Sequence, residues 1–185
     1  AAGDTAVVDF YGDDLLSVAI SGNPAHLSAA TTGTLSAKDG GTVLMTTAQA
    51  AGVIDRAINM NGVADASSAT DEGGTIVFAG QGANITVQAG AILNATGATG
   101  GGTVHIGGEY QGGGDTPTAK NTTIEKGVAI DASATKTGNG GEVIVWADNT
   151  TVFAGNIKAT GGHGKEGSAV ARPSPEPSPI GEGRS

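Results

Sequence analysis

Four stretches of the chain open on a glycine pair and then alternate polar with apolar residues. They are Gly40-Gly-Thr-Val-Leu-Met45, Gly73-Gly-Thr-Ile-Val-Phe78, Gly101-Gly-Thr-Val-His-Ile106 and Gly140-Gly-Glu-Val-Ile-Val145. Successive side chains of a strand point to opposite faces. Val43, Ile76, Val104 and Val143 therefore share one column, and Met45, Phe78, Ile106 and Val145 share the next column on the same face. Thr42, Thr75, Thr103 and Glu142 form a column on the opposite, polar face.

Two further phrases recur in the same order. One reads Asn, any residue, Thr, Val or Ile, two variable residues, Gly, and starts at Asn84, Asn121 and Asn149. Its alignment sets Val87, Ile124 and Val152 at one level. The other is Leu35-Ser-Ala37, Leu93-Asn-Ala95, Ile130-Asp-Ala132 and Ile157-Lys-Ala159. Three short β-prone phrases per repeat, separated by Gly, Asn, Asp and Thr, predict three strands and three turns. A single repeat cannot bury its apolar side, so the copies must stack, each covered by its neighbours. The prediction is an all-β parallel β-helix, or β-solenoid, with a continuous interior of Val, Ile and Ala. Its glycine pairs stand at corners too tight for a Cβ.

Competing architectures fail on the same residues. No apolar stripe at helical spacing runs between Gly73 and Gly114, and glycine does not fall at every third position as collagen requires. A solvated linker has no need of Val and Ile kept in register across repeats. The glycine-pair phrases begin at residues 40, 73, 101 and 140, so the repeat length varies and the surplus must leave the stack as loops. Residues 107–120, Gly-Gly-Glu-Tyr-Gln-Gly-Gly-Gly-Asp-Thr-Pro-Thr-Ala-Lys, are the clearest such loop, because the glycine run and Pro117 cannot continue a strand.

Composition narrows the function. Of 185 residues 33 are glycine and only 3% are aromatic, which excludes a large core built on rings. The formal net charge of −9 and the absence of a Lys or Arg cluster exclude a nucleic-acid partner. With no cysteine there is neither disulfide nor thiol chemistry, and no apolar run is long enough for membrane insertion. The solenoid is expected over residues 1–167. Residues 168–185, with Pro173, Pro175, Pro177 and Pro179, are expected to form an extended or disordered Pro/Ser/Gly-rich tail. The opening Ala-Ala-Gly-Asp has neither an initiator Met nor the regions of a signal peptide, and reads as the start of a processed or excised piece.

These phrases carry a resemblance. "VVDFYGDDLLSVAI", "GGTVHIGGEYQGGGDTPTAKNT" and "GNGGEVIVWADNTTVFAGNIKATGG" are similar to the filamentous haemagglutinin-type exoproteins of the two-partner secretion pathway of Gram-negative bacteria. The resemblance covers most of residues 4–162 and is most specific around Val143-Ile-Val-Trp-Ala-Asp148. It implies a right-handed parallel β-helix, export through a dedicated outer-membrane partner, and a life as a secreted or cell-surface adhesin, biofilm matrix protein or toxin carrier. Such proteins are usually far longer and open with a secretion domain, whose signature is not found in these residues; the chain reads as an interior or C-terminal stretch of repeats.

Candidate chemistry is thin. A polysaccharide-active enzyme on this scaffold would need clustered carboxylates. Asp55 with Arg56, Glu109, Asp115, Glu125 with Lys126, Asp131 and Asp148 instead read as turn or outward charges, which also deter aggregation. His26, His105 and His163 share no metal spacing, and Gly-Gly-Gly-Asp at residues 112–115 is one partial match to a calcium nonapeptide. No cofactor or metal is expected. Asn84, Asn94, Asn121 and Asn149 spell glycosylation sequons, which turn-forming Asn before strand-forming Thr also explains. Trp146 follows Val145 and so points outward, either to meet a ligand or to pack under a loop.

The expected contact surface is thus Thr42, Thr75, Thr103, Glu109, Tyr110, Gln111, Asp115 and Trp146. Its expected partner is a glycan or protein of a host or neighbouring cell. The other reading is a filament of copies joined end to end through open β-helix ends, with an ice-binding face a distant third.

Overall fold

The computed structural model describes residues 5–11, 15–21, 26–47 and 55–163, with side chains over 30–47 and 57–163. Strand β1 (Thr5–Tyr11) precedes five triplets. They are β2 (Leu15–Ser21), β3 (His26–Thr31) and β4 (Thr34–Ser36); β5 (Thr42–Thr47), β6 (Asp55–Met60) and β7 (Val63–Asp65); β8 (Thr75–Gly80), β9 (Asn84–Val87) and β10 (Ile92–Asn94). Then come β11 (Thr103–Ile106), β12 (Asn121–Ile124) and β13 (Ala129–Asp131), and finally β14 (Glu142–Val145), β15 (Thr150–Phe153) and β16 (Asn156–Lys158).

Each triplet is one turn of a β-solenoid. First strands stack as β1-β2-β5-β8-β11-β14, second strands as β3-β6-β9-β12-β15 and third strands as β4-β7-β10-β13-β16. Every pairing is parallel except one: β1 lies antiparallel against β2, from Thr5 opposite Ser21 to Tyr11 opposite Leu15. The six-stranded sheet therefore begins with a reversed strand. Residues 168–185 lie outside the described residues.

Alternation places the core. Val43, Ile76, Val104 and Val143 are 0% exposed, and Met45, Phe78, Ile106 and Val145 no more than 2%. The second sheet contributes Ile58, Ile85, Met60, Val87 and Ile124. The third contributes Ala64, Leu93 and Ile130, followed at its corner by the alanine column Ala37, Ala66, Ala95, Ala132 and Ala159. Ala64-Asp-Ala66 is thus a further copy of the third phrase. Small side chains suit that corner, where the Gly74, Gly102 and Gly141 N–H groups donate to the Ala66, Ala95 and Ala132 carbonyls and draw the chain back towards the first sheet.

The glycine pairs stand beyond that corner, and their backbones nearly touch from rung to rung. A Cβ on Gly102 would lie 2.1 Å from the Gly74 carbonyl oxygen, and one on Gly74 would lie 2.0 Å from that of Gly41. No side chain fits between stacked backbones at that distance.

The last rung departs from the sequence frame. Asp148 and Asn149 donate backbone N–H bonds to Ala119 and Lys120, both at 2.9 Å, in step with the phrase. Beyond them, however, Asn121 lies opposite Thr150, Thr123 opposite Val152 and Ile124 opposite Phe153. One surplus residue enters at Asn149, a β-bulge of the kind sheet edges favour. The expected pairing of Val152 with Ile124 is therefore corrected: the larger Phe153 takes the inward position. Val152 turns outward and is 48% exposed.

Candidate functional site

The outward face of the first sheet carries two columns. Thr42, Thr75, Thr103 and Glu142 lie opposite one another along it. Beside them run Leu44, Val77, His105 and Ile144. Of the second column the sequence named only His105 as outward, with a surface imidazole expected, although alternation makes the rest equally legible. The outer surface is less polar than expected. His105 is packed between Val77 and Ile144, its side chain 16% exposed, with Nε2 2.9 Å from Glu142 Oε1.

Side-chain ladders tie the other two sheets. Asn121 Nδ2 donates to Asn84 Oδ1 at 2.7 Å, and Asn149 Nδ2 donates to Asn121 Oδ1 at 2.9 Å. On the third sheet Asp65, Asn94, Asp131 and Lys158 share a level. Asp65, Asn94 and Asp131 each accept the backbone N–H two residues on, from Ser67, Thr96 and Ser133, so each closes its own corner as an Asx turn. Asn94 Nδ2 also donates to Asp65 Oδ1 at 3.2 Å, and Lys158 lies 3.5 Å from Asp131. The amide nitrogens of three sequons, at 94, 121 and 149, are thus donors in rung-to-rung bonds.

Of the carboxylates weighed above as catalytic, Glu109, Glu125, Asp131 and Asp148 each accept a hydrogen bond. Glu125 Oε2 accepts the Ala89 N–H at 2.9 Å, and Asp148 Oδ2 accepts Thr118 Oγ1–H at 2.7 Å. The side chains of Asp55 and Arg56 lie outside the described set. Among the described residues no group of three or more His, Asp or Glu lies close enough to hold a metal ion. An open cleft of about 300 Å³ at the glycine corner is lined by Glu72, Thr99, Gly100, Gly101, Gly138, Asn139 and Gly140. Glu72 is the one titratable group in that lining, so the cleft offers no acid–base pair.

The loop at residues 107–120 gathers half of the expected contact residues: Glu109, Tyr110, Gln111 and Asp115 lie in it. Its base is closed by the Ala119 N–H donating to the Gly107 carbonyl at 2.9 Å. Thr116 Oγ1 donates to Glu109, and Thr118 Oγ1 to Asp148 on the next rung. Trp146 projects outward at the end of β14 and lies beneath the loop. A Cβ on Gly108 would be 3.3 Å from its ring, and one on Gly112 3.2 Å from its Nε1. That Nε1 is buried without a hydrogen-bond partner. Trp146 is therefore the floor of the loop, whereas Tyr110, 49% exposed, is its outward ring. Thr116, Thr118 and Asp148, which brace the loop, were not singled out as its supports in the sequence, because their pairing joins separate rungs. Thr103 lies at the far end of β11, so the threonine column and the loop are separate surfaces.

Stacked three-strand rungs with one long outward loop define the fold class, a parallel β-solenoid. The chain is similar to the crystal structure of the HMW1 secretion domain from Haemophilus influenzae, with a TM-score of 0.58 and 26% identity. The likeness covers 77% of this chain and 43% of that one, so the chain spans less than half of that structure's length. No protein-family model and no curated protein matches the sequence. Fold and likeness agree with the filamentous haemagglutinin-type resemblance of the repeated phrases. The matched structure is itself a secretion domain, whereas the phrases read as interior or C-terminal repeats. Stacked rungs look alike in either place, so the phrases could not separate the two. No helix of the described residues is long and apolar enough to cross a membrane.

Proposed function

We propose that this chain belongs to a non-catalytic exoprotein that leaves a Gram-negative cell through an outer-membrane transporter and works at or beyond the cell surface in adhesion or matrix building. The observation that carries the reading is the likeness to a secretion domain over 77% of the chain, on a fold made of the same stacked rungs. A stiff rod rising by roughly 4.8 Å per rung suits presentation of a surface at a distance. The hydrogen bonds that Glu109, Glu125, Asp131 and Asp148 already accept support the non-catalytic part.

Deleting the transporter gene in the source bacterium tests the export step. The exoprotein is expected to vanish from the medium and outer surface and to accumulate inside or be degraded. Unchanged export would overturn the reading. Adhesion is tested by coating beads with the purified chain and counting their attachment to host and neighbouring bacterial cells, with attachment expected above uncoated beads.

A second reading, end-to-end assembly into a filament, draws on Phe153, an inward-column residue left 40% exposed at the last described rung. Against it, the opposite end carries the antiparallel β1, which offers no parallel continuation of the six-stranded sheet. Electron microscopy over a concentration series decides: long fibres support assembly, and separate short rods at every concentration reject it.

A further inference from the structure

We propose that residues 107–120 form a binding site for an uncharged glycan, with the Tyr110 ring as the stacking platform and Gln111 and Asp115 as its hydrogen-bonding groups; this rests on the adhesive reading above. Three observations converge on it.

The insertion is surplus to the fold. Between β8 and β9 the chain passes from the first sheet to the second in residues 81–83, and between β14 and β15 in residues 146–149. The same corner after β11 takes residues 107–120. Topology therefore needs only a few residues there, and a loop maintained at greater length on a rigid scaffold is where recognition residues concentrate.

The loop is also held in one shape. Its base is pinned by the Ala119–Gly107 backbone bond, its interior by the Thr116–Glu109 bond and its side by the Thr118–Asp148 bond. The backbone of Gly108 and Gly112 rests on the Trp146 indole. A prearranged site loses less freedom on binding than a mobile one.

The residues at the tip are not explained by packing. Gly107, Gly108, Gly112 and Gly114 all have positive φ, which accounts for the glycines. Gln111 also sits at φ 57°, a left-handed conformation that a side chain makes unfavourable, yet the position carries an amide rather than a glycine. Beside it Tyr110 is half exposed. Gln111 Nε2 lies 3.4 Å from the Tyr110 hydroxyl, so ring and amide face the same solvent.

An exposed ring beside an amide, which donates and accepts, with the Asp115 carboxylate, which accepts, in the same loop, matches a sugar with an apolar C–H face and neighbouring hydroxyls. The loop carries Glu109 and Asp115 against one cation, Lys120, and Asp148 is bonded to its Thr118. That field repels sialylated, sulfated and phosphorylated glycans. A basic peptide is the less favoured occupant, because Glu109 and Asp148 are already engaged by Thr116 and Thr118.

The test uses the whole chain on immobilised neutral oligosaccharides of glucose, galactose, mannose and N-acetylglucosamine, beside sialylated and sulfated glycans, a polylysine surface and intact cells. Wild type is compared with Tyr110→Ala and Gln111→Gly; the latter keeps the backbone relaxed at positive φ while removing the amide. Far-UV circular dichroism establishes that each variant is folded. The expected result is binding to a subset of neutral glycans, weakened about tenfold or more by Tyr110→Ala and measurably by Gln111→Gly. Neutral-glycan binding that neither variant changes overturns the site, as does binding confined to acidic glycans or polylysine. Attachment to cells without binding to any glycan overturns the glycan inference and leaves adhesion standing. Failure to bind either cells or glycans overturns both.

Discussion

The interior rung β11–β13 and the terminal rung β14–β16 are written in nearly the same phrases, yet they sit differently. In β12, Thr122 and Ile124 point inward and are fully buried, with Thr122 Oγ1 donating to the Trp146 carbonyl at 2.7 Å. In β15 a bulge moves the inward positions to Thr151 and Phe153, and Phe153 remains 40% exposed. The interior strand is fixed from both sides. Among the described residues β15 pairs with β12 alone, and a strand held from one side tolerates an extra residue that two neighbours would forbid. Inside and outside are therefore properties of the stack, and the phrase alone does not carry them.

That comparison can be broken in graded steps. Val104→Asp buries a charge between Ile76 and Val143 with no partner; it is expected to remove more than about 4 kcal/mol and unfold the central rungs, seen as loss of the β signal in circular dichroism. Retained structure would mean that the inward column is wrongly assigned. Truncating the two residues at the same level separates the rungs next. Ile124→Ala should cost about 3 kcal/mol in denaturant titration, and Phe153→Ala only about 1 kcal/mol, because the latter leaves no closed cavity. Equal losses would mean that something covers the terminal rung. Thr122→Val, which removes the buried hydroxyl that meets the Trp146 carbonyl, should cost about 1 kcal/mol and shift the tryptophan emission. Thr103→Asp should be the mildest, at about 0.5 kcal/mol, since it stays outward and merely faces Glu142 across the register.

Legibility followed the number of constraints each residue meets. Val43, Ile76, Val104 and Val143 recur at fixed steps after a glycine pair, so the sequence sufficed to place the first sheet and its core. It did not suffice at Val152 and Phe153: both are apolar, alternation chooses neither, and the alignment on Asn149 favoured the wrong one. The reversed direction of β1 was also invisible, because Thr5–Tyr11 alternates identically whichever way it runs. In the candidate site, the loop and its exposed residues could be named from glycine, proline and length. Packing of Trp146 under a loop was one of two readings the sequence offered; which loop it floors was not legible, since that depends on the next rung lying directly under Gly108 and Gly112.

The backbone bond from the Ala119 N–H to the Gly107 carbonyl has a practical corollary. It closes the loop at its neck, so the rung continues into β12 as though the intervening residues were absent. Beyond the neck the loop meets the neighbouring rungs at Thr118, through Asp148 and the Gly82 N–H, and on the Trp146 ring. Foreign peptide of many lengths could be grafted between Gly107 and Ala119, making the rod a display scaffold whose guest sequence is free to change while its host remains the same.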